Sequence, residues 1–230
     1  MHNSLLILKL DFCLLMYKIG ITGGIASGKS TLRKVVAEFL HIKAIDMDII
    51  ARKLFRINKQ ILKDIQNEFG QDIVEIDQYG MPNLKRRLLG SIVFENPNKL
   101  QTLNSIAIPH IIKFLNLEFE RTIKDEKEID IVFIEGAILI ESNLTPLFNE
   151  IWLTKFDKEK ALERIIQRDK LSIIEAKNRL KSQINDNERI KFCSFSYDSN
   201  DPLEKNRKLI EEQLRRLTVE KKLRKFMKKS

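Results

Sequence analysis

A glycine-rich loop near the amino terminus carries residue types that could bind phosphate. Residues 23–30 read Gly-Gly-Ile-Ala-Ser-Gly-Lys-Ser and satisfy the pattern G-x-x-x-x-G-K-[ST]. Such a loop curls so that its backbone N–H groups, and the positive end of the following helix, point at one anion. The pattern places the Lys29 ammonium at the β- and γ-phosphates and the Ser30 hydroxyl at a Mg²⁺ ion. The residues predicted to contact the nucleotide are Gly23, Gly24, Ile25, Ala26, Ser27, Gly28, Lys29, Ser30 and Thr31.

Two carboxylates follow the second apolar segment of the chain. Asp46 and Asp48 come directly after residues 42–45, and ligands of open parallel sheets collect beyond the carboxyl ends of the strands. On an extended chain the i, i+2 spacing would place both carboxylates on one side. One of them could accept the proton of an attacking hydroxyl or hold Mg²⁺ through water. The alternative is that Asp46 caps a helix that begins near Ile49.

Strands and helices must alternate to position these residues. Short apolar runs predict buried strands at 18–22, 42–45, 129–134 and 151–154. Apolar residues at helical spacing predict helices from Ser30 to Leu40, from Ile61 to Phe69, over 84–124 with breaks near Pro97 and Pro109, and over 158–168. This alternation predicts an α/β fold with a parallel sheet and a helical insertion between its second and third strands.

Cap signals define several helix ends. Gly70 is placed to end the helix that contains Ile61. Ser172 and Glu175 have the spacing of a capping box. Asp201 as N-cap with Pro202 at the first helical position predicts the start of a carboxyl-terminal helix.

The net charge of +9 on the 230 residues is concentrated at the carboxyl terminus. Residues 202–230, the basic tail, contain 11 Lys or Arg and 4 Glu, whereas residues 1–201 contain 30 basic and 28 acidic side chains. Phe226 is the only aromatic residue in the basic tail. We interpret the tail as a solvated amphipathic helix with Leu209, Ile210, Leu214 and Leu217 packed inward.

The remaining composition restricts the class of protein. Cys13 and Cys193 form no disulfide framework and no zinc motif, which fits a reducing, cytoplasmic location. Nowhere does the chain carry 18 consecutive uncharged apolar residues, so we expect no membrane span. Residues 1–16 are interpreted as an extension before the domain, with Met16 as an alternative translation start; Lys9 and Asp11 interrupt its apolar run, which argues against a signal peptide.

The chain resembles the dephospho-CoA kinase family over about residues 17–200. The family pattern I-G-L-T-G-G-I-G-S-G-K-S is read here as residues 19–30, and D-A-D-x-x-x-R is read as residues 46–52. The pattern L-x-R-x-x-L-x-x-x-V-F is matched by Leu84, Arg86, Leu89, Val93 and Phe94. The later patterns R-x-x-x-R and A-x-x-R-x-x-x-Q are matched by Arg164, Arg168, Ala176, Arg179 and Gln183. The loop alone is generic, and its combination with D-x-D and the later spacings makes the resemblance specific.

The sequence departs from the family pattern at several positions. Ala26 replaces a usual glycine, which matters only if the backbone there has a positive φ. Ile108 stands where the family has histidine, and His110 receives no role. Residues 135–141 keep an acid at both ends but lose the family proline, and residues 193–200 match poorly.

The resemblance implies the P-loop NTPase fold, with a parallel sheet of about five strands flanked by helices, a helical substrate-binding insertion and a lid. It implies phosphoryl transfer from ATP, with Mg²⁺, to the ribose 3′-hydroxyl of dephospho-CoA, and no nucleic-acid or membrane partner. Asp48 would orient or deprotonate the hydroxyl, and Arg168 would act with Lys29 on the transferred phosphoryl group. The residues expected to meet the substrate are Asp46, Arg52, Arg86, Glu135 and Arg164. The implied domain spans 17–205, with its core at 17–50 and 128–160, the substrate region at 51–127, the lid at about 161–192 and the basic tail beyond.

Two other functions compete with this interpretation. The first is another P-loop kinase that acts on a nucleoside or nucleotide. The second is a nucleic-acid-binding NTPase that uses the basic tail, which predicts affinity that falls steeply with salt. The location of the charge outside the predicted site, and the lack of interleaved aromatic residues, disfavour the second.

Overall fold

The computed structural model describes residues 16–221, 223, 224 and 227–229. Its strands are β1 (Tyr17–Gly23), β2 (Ile42–Asp46), β3 (Val74–Ile76), β4 (Pro82–Leu84), β5 (Ile131–Glu135), β6 (Glu150–Lys155) and β7 (Phe195–Asp198). Five of them form a parallel sheet in the order β2-β5-β1-β6-β7, and β3 and β4 form a separate antiparallel hairpin. The central position of β1 places the loop that follows it in the middle of the sheet edge.

Nine α-helices occupy the described part of the chain. They are α1 (Lys29–Ala37), α2 (Met47–Ile57), α3 (Lys59–Phe69), α4 (Arg86–Phe94), α5 (Pro97–Asp125), α6 (Lys158–Asp169), α7 (Ile173–Lys181), α8 (Asp186–Arg189) and α9 (Leu203–Glu220). No described helix combines the length and the apolar character that a bilayer crossing requires.

The two faces of the sheet are buried in separate apolar clusters. Ile131 and Phe133 of β5 face a cluster that includes Leu32 of α1 and Leu214 of α9. Val132 and Ile134 face the opposite cluster, to which α2, α3, α4 and α5 contribute. Because successive strand residues point to opposite faces, the continuous apolar run of β5 is what a strand covered on both sides requires.

The strand register brings acidic residues together at one edge. Asp46 of β2 lies opposite Glu135 of β5, and Glu135 lies opposite Ile21 of β1. The carboxyl ends of β2, β5 and β1 therefore meet beside the glycine-rich loop. This is the sheet edge where ligands bind in parallel α/β proteins.

The segment 158–181 packs on the glycine-rich loop. Ile165, Leu171 and Ala176 form a small buried cluster, and Ile25 and Ala26 of the loop pack against it. α7 starts with the predicted capping box, in which the Ser172 side chain accepts from the Glu175 backbone and the Glu175 side chain accepts from the Ser172 backbone.

The basic tail docks on the body of the protein. Ile210, Leu214 and Leu217 are buried and Leu209 packs against the same cluster, so the prediction of an inward apolar face is confirmed. Beyond α9, the backbone near Lys228 bridges to Phe39, and Leu40 donates to the Met227 carbonyl oxygen at 2.7 Å. Ion pairs that tie this segment to the body include Arg207–Glu38, Arg216–Glu150 and Arg224–Asp130.

The structure corrects three boundaries. Pro109 lies inside α5 without ending it, because burial of Ala107, Ile111, Leu115 and Phe119 on one face offsets the roughly 3 kcal/mol cost of an interior proline. Pro202, not Asp201, occupies the N-cap of α9, and Asp201 pairs with Lys205 at 3.0 Å. The helix ends at Glu220, short of residue 230.

Two strand features were not predicted. β7 has only four residues and lies at an edge, and the β3–β4 hairpin lies within the insertion that was expected to be helical. The interpretation of residues 1–16 as an extension concerns residues that, apart from Met16, lie outside the described part of the chain.

Candidate active site

Two glycines of the loop occupy positions that exclude a side chain. Gly23 has φ 151° and Gly28 has φ 90°. A Cβ on Gly23 would lie 2.4 Å from the Thr154 carbonyl oxygen, and one on Gly28 would lie 2.6 Å from Oγ of Ser199. The tight curl therefore requires glycine both for its backbone angles and for the space around it.

Ala26 adopts the left-handed conformation in the same loop, with φ 61°. The replacement of the family glycine by Ala26 therefore matters here, because the backbone at this position has a positive φ. A residue with a Cβ pays about 1–2 kcal/mol in this region relative to ordinary backbone, a cost that glycine avoids.

Lys29 is buried beneath the loop at the start of α1. Its Nζ donates to the carbonyl oxygens of Gly23 and Gly24 at 3.0 and 2.8 Å. Burial lowers the pKa of Lys29 to about 8, although the negative charges of Glu135 and Asp48 oppose this shift. The ammonium group is thus held at the loop in an environment where an added negative charge would stabilise it.

A chain of polar contacts joins the loop helix to the strand ends. The Ser30 hydroxyl donates to Oε1 of Glu135 at 2.7 Å, and Nε of Arg33 donates to Oε2 of Glu135 at 2.6 Å. Arg33 also lies 3.4 Å from the Asp46 carboxylate. Sequence reasoning missed Arg33, although its position one turn after Ser30 on α1 was visible.

Asp46 and Asp48 differ from the extended arrangement that their spacing suggested. Asp46 ends β2 and caps α2, because its side chain accepts from the backbone N–H groups of Asp48 and Ile49 at 2.9 and 3.2 Å. Asp48 lies in the first turn of α2. The capping alternative is therefore confirmed for Asp46, and the premise that both carboxylates project from one strand was wrong.

Asp48 is accessible to solvent. Partial desolvation by the surrounding protein raises its pKa, and the neighbouring charge of Asp46 raises it further. The positive charges of Lys29 and Arg52 act in the opposite direction. The result is a carboxylate with a greater affinity for a proton than an ordinary aspartate has.

The two arginines of α6 have different partners. Nη1 of Arg164 lies 3.4 Å from the Ala26 carbonyl oxygen, and its guanidinium group stacks 3.8 Å from the centre of the Phe156 ring. Arg168 pairs with Asp169 at 2.8 Å, which raises the pKa of Arg168, and 59% of its side chain is exposed. Arg164 therefore contacts the loop, whereas Arg168 pairs with the next residue of its own helix, Asp169. The negative charge of Asp48 also acts on Arg168.

Arg52 and Arg86 approach the same region from the helical insertion. Burial lowers the pKa of Arg86, the positive charge of Arg52 lowers it further, and the negative charge of Asp48 opposes both. The two guanidinium groups and the Asp48 carboxylate thus form one electrostatic cluster. Such a cluster suits a substrate that carries phosphate groups near the reacting atom.

Several further contacts around the loop escaped the sequence analysis. Ser27 and Thr154 share a 2.6 Å hydrogen bond, and Ser199 donates to the Ser27 carbonyl oxygen at 2.6 Å. Gln183 accepts from the Ile25 N–H at 2.8 Å. Of these, Gln183 alone had a signal, since the sequence analysis noted its place in a family pattern.

Arg189 was also missed. Its side chain is 2% exposed and pairs with Glu141 at 2.9 Å and with Asp186 at 3.1 Å. Its charge lowers the pKa of Lys29, so it lies close to the phosphate loop. Arg189 comes from the segment after α7, and no spacing pattern in the sequence predicts that it is buried next to the loop.

These features define a class of protein. A G-x-x-x-x-G-K-S loop between β1 and α1, a buried lysine, and acidic residues at neighbouring strand ends form the nucleotide site of a P-loop kinase. The model of the dephospho-CoA kinase family matches residues 17–204 of this chain. The chain therefore belongs to the dephospho-CoA kinase family.

Curated relatives agree with this assignment. The dephospho-CoA kinase of Fusobacterium nucleatum is 37% identical over 186 residues, which cover 81% of this chain and 91% of that protein. The dephospho-CoA kinase of Carboxydothermus hydrogenoformans is 34% identical over 194 residues, which cover 84% of this chain and 90% of that protein.

Solved structures share the fold. The dephospho-CoA kinase from Campylobacter jejuni superimposes with a TM-score of 0.60 at 28% identity, covering 88% of this chain and 97% of that one. A Thermus thermophilus protein superimposes with a TM-score of 0.66 at 24% identity, covering 89% of this chain and 97% of that one, and so supports the fold alone. The predicted five-stranded P-loop architecture is confirmed.

Proposed function

We propose that this chain transfers the γ-phosphoryl group of ATP to the ribose 3′-hydroxyl of dephospho-CoA, which yields coenzyme A and ADP in the last step of coenzyme A synthesis. Membership of the dephospho-CoA kinase family supports the reaction. The observation that carries the mechanism is the position of Asp48, whose carboxylate acts electrostatically on Lys29 and on three arginines of the insertion and lid.

The loop would bind the donor. Backbone N–H groups of residues 23–31 and the amino terminus of α1 offer donors to the phosphates. Lys29 would exchange its bonds to the Gly23 and Gly24 carbonyl oxygens for phosphate oxygens. Because its charge is destabilised by burial, binding of an anion would stabilise the protonated form.

Asp48 would act on the acceptor. In the transfer, the acceptor 3′-oxygen forms a bond to the γ-phosphorus while the bond from that phosphorus to the β–γ bridging oxygen breaks. The proton of the 3′-hydroxyl passes to the Asp48 carboxylate, and ADP leaves. The raised pKa of Asp48 makes it a better proton acceptor than an ordinary aspartate.

The arginines would neutralise charge. Arg164 already contacts the loop at Ala26, and Arg168 needs to leave Asp169 to reach the transferred group. Arg52 and Arg86, on the insertion side, would contact the acceptor diphosphate. In this kind of transfer, positioning and charge stabilisation supply most of the catalysis.

The residues present fit a magnesium ion held largely by the nucleotide. The Ser30 hydroxyl and the Glu135 carboxylate lie 2.7 Å apart and supply hard oxygen ligands beside the loop. Among the described residues, no group of three or more His, Cys, Asp or Glu is placed to hold a metal ion. When bound, the ion would neutralise phosphate charge, with Ser30 as its direct protein ligand.

A turnover assay tests the proposal. Purified protein with ATP and Mg²⁺ is given dephospho-CoA, a nucleoside or a nucleoside monophosphate, and ADP and coenzyme A are measured. We expect turnover of dephospho-CoA, and no stimulation of ATP hydrolysis by DNA or RNA. Inactivity on dephospho-CoA alongside activity on a nucleoside or nucleoside monophosphate would overturn the proposal.

A further inference from the structure

A cleft with a volume of about 870 Å³ opens between the helical insertion and α7. One wall is formed by the end of α4 and the start of α5, and the facing wall is formed by the end of α7. The loop after β5, at 141–143, completes the cleft. Its volume lies within the range of small-molecule sites, yet none of Asp46, Asp48, Glu135 and the phosphate-loop residues lines it.

Two buried polar atoms beside this cleft have no hydrogen-bond partner. The Ser142 side chain is 7% exposed, and its Oγ is unpartnered. Glu141 uses Oε1 to accept from Arg189, whereas its Oε2 is unpartnered. Buried polar groups without partners are uncommon and costly. A ligand that offers N–H or O–H groups at this wall would remove that cost.

The chemistry of the cleft indicates what kind of ligand it suits. Val93, Leu100 and Ile108 supply apolar surface, and neutral amides are supplied by Asn104 and Asn178. Charged side chains are a minority of the lining. A flexible neutral chain with amide, hydroxyl and methyl groups matches this mixture better than an anion or a flat aromatic ring does.

α4 connects the cleft to the reacting atoms. Its first residue, Arg86, acts electrostatically on Asp48, and its last two residues, Val93 and Phe94, line the cleft. The nine residues of α4 span about 13 Å. A ligand whose diphosphate meets Arg86 would need an extended arm of about this length to reach Ser142.

We propose that the cleft binds the pantetheine arm of dephospho-CoA. This inference rests on the proposed function and deepens it. The arm carries two amides, one hydroxyl and a dimethyl-substituted carbon, and it continues from the diphosphate on the side away from the ribose 3′-hydroxyl. With the 3′-hydroxyl at Asp48 and the diphosphate at Arg52 and Arg86, the arm runs along α4 into the cleft. Its amide and hydroxyl groups meet Ser142, Glu141 and Asn104.

Kinetics and direct binding together test this assignment. Asn104→Trp fills the cleft from α5, and Asn178→Trp fills it from α7, so the test does not depend on one variant folding. Asn116→Trp makes the same change at an exposed position of α5 and serves as the control. Binding of 4′-phosphopantetheine, the arm alone, is measured by calorimetry, and the KM values for dephospho-CoA and ATP are measured for each variant.

We expect either cleft variant to raise the KM for dephospho-CoA about tenfold or more, with the KM for ATP changed less than about twofold. Ser142→Ala should weaken 4′-phosphopantetheine binding about threefold to tenfold through loss of one neutral hydrogen bond. Asn116→Trp should behave as the unmodified protein does. Unchanged KM values for dephospho-CoA in folded cleft variants would overturn the assignment, and so would an absence of 4′-phosphopantetheine binding to the unmodified protein.

The two proposals can fail separately. If the unmodified protein binds 4′-phosphopantetheine in a way that Asn104→Trp abolishes, yet does not phosphorylate dephospho-CoA, the cleft assignment is supported and the proposed reaction is overturned. If the protein phosphorylates dephospho-CoA and all cleft variants do so with the same KM, the reaction is supported and the assignment is overturned.

Discussion

The Ser30 hydroxyl donates a 2.7 Å hydrogen bond to Oε1 of Glu135, so the first turn of α1 is joined to the end of β5. The second carboxylate oxygen of Glu135 accepts from Arg33, which lies beside Asp46 at the end of β2. One carboxylate thus ties three elements together next to the phosphate loop. It orients the Ser30 hydroxyl beside the loop, where we propose that this oxygen binds Mg²⁺.

Replacing Ser30 tests its role as a metal ligand. Ser30→Ala removes the hydroxyl, and we expect the Mg²⁺ concentration for half-maximal activity to rise at least about fivefold, with kcat reduced about tenfold or more. Ser30→Thr keeps a hydroxyl and is the matched control, with near-normal Mg²⁺ dependence. Initial rates measured over a Mg²⁺ titration decide the matter, and identical titration curves for the two variants would contradict the assignment.

Asp48→Asn should separate chemistry from donor binding. The amide keeps the size of the side chain but cannot accept the acceptor proton, so kcat should fall about 10²–10⁴-fold. The KM for ATP should stay within about twofold, because the loop is untouched. Asp125→Asn, at the exposed end of α5, is the control. A normal kcat in Asp48→Asn would eliminate the proposed base.

The core of the fold was predictable because its signals are local. β1 is a short, mostly buried segment that ends in glycines, β5 is a near-continuous apolar run, and the capping box at Ser172 was correct to the residue. The edge strand β7 was missed because four residues with alternating polarity give a weak signal. α5 continues through Pro109 because its buried face is provided by distant parts of the chain, which no local rule contains.

The site was predictable only in part, because some of its residues are brought together by distant parts of the chain and not by a local pattern. The loop residues follow from one contiguous pattern, and Lys29 and Ser30 are the first two residues of α1, directly after the loop. Arg33 had a local signal in its position one turn after Ser30, whereas Arg189 and Ser199 reach the loop through tertiary packing, so their spacing in the sequence carries no signal. The spacing of Asp46 and Asp48 misled the interpretation, because β2 ends and α2 begins between them.

The pKa of Lys29 predicts a proton linked to nucleotide binding. Burial lowers this pKa to about 8, so about half of the Lys29 side chains are deprotonated at pH 8 in the protein without nucleotide. ATP binds the protonated form, so binding should take up a proton near pH 8–9, and ATP affinity should fall as the pH rises above about 8. Calorimetry at pH 8.5 in buffers of different ionisation enthalpy measures the uptake. Lys29→Met should bind ATP weakly and without that uptake, and equal proton uptake in both proteins would contradict the prediction.

Ala26→Gly should stabilise the protein. Glycine relieves the left-handed strain at φ 61°, although it also increases the conformational entropy of the unfolded chain, so we expect a net gain of about 0.5–1 kcal/mol. Ala51→Gly makes the same change in the interior of α2, where it should destabilise by about 0.5–1 kcal/mol. Urea unfolding of both variants measures the sign of the change in the free energy of unfolding for each substitution. Destabilisation by both substitutions would show that the backbone at residue 26 carries no such strain.

Removing the end of the basic tail should cost stability and leave catalysis intact. The Arg224 guanidinium group donates to both oxygens of Asp130 at 3.0 Å through Nε, and Lys229 donates its backbone N–H to the Glu38 carbonyl oxygen at 2.7 Å. A chain that ends at Thr218 loses these contacts but keeps Ile210, Leu214 and Leu217. Its melting temperature should fall, while kcat and both KM values change less than about twofold, because none of the lost contacts reaches the phosphate loop or the cleft.

Two single substitutions serve as partial variant and control. Arg224→Ala should lower the free energy of unfolding by about 0.5–1 kcal/mol, the contribution of one exposed ion pair. Lys208→Ala, on the exposed face of α9, should lower it by almost nothing. A large loss of kcat in the shortened chain, with its folded secondary structure retained, would instead assign the tail a part in the reaction.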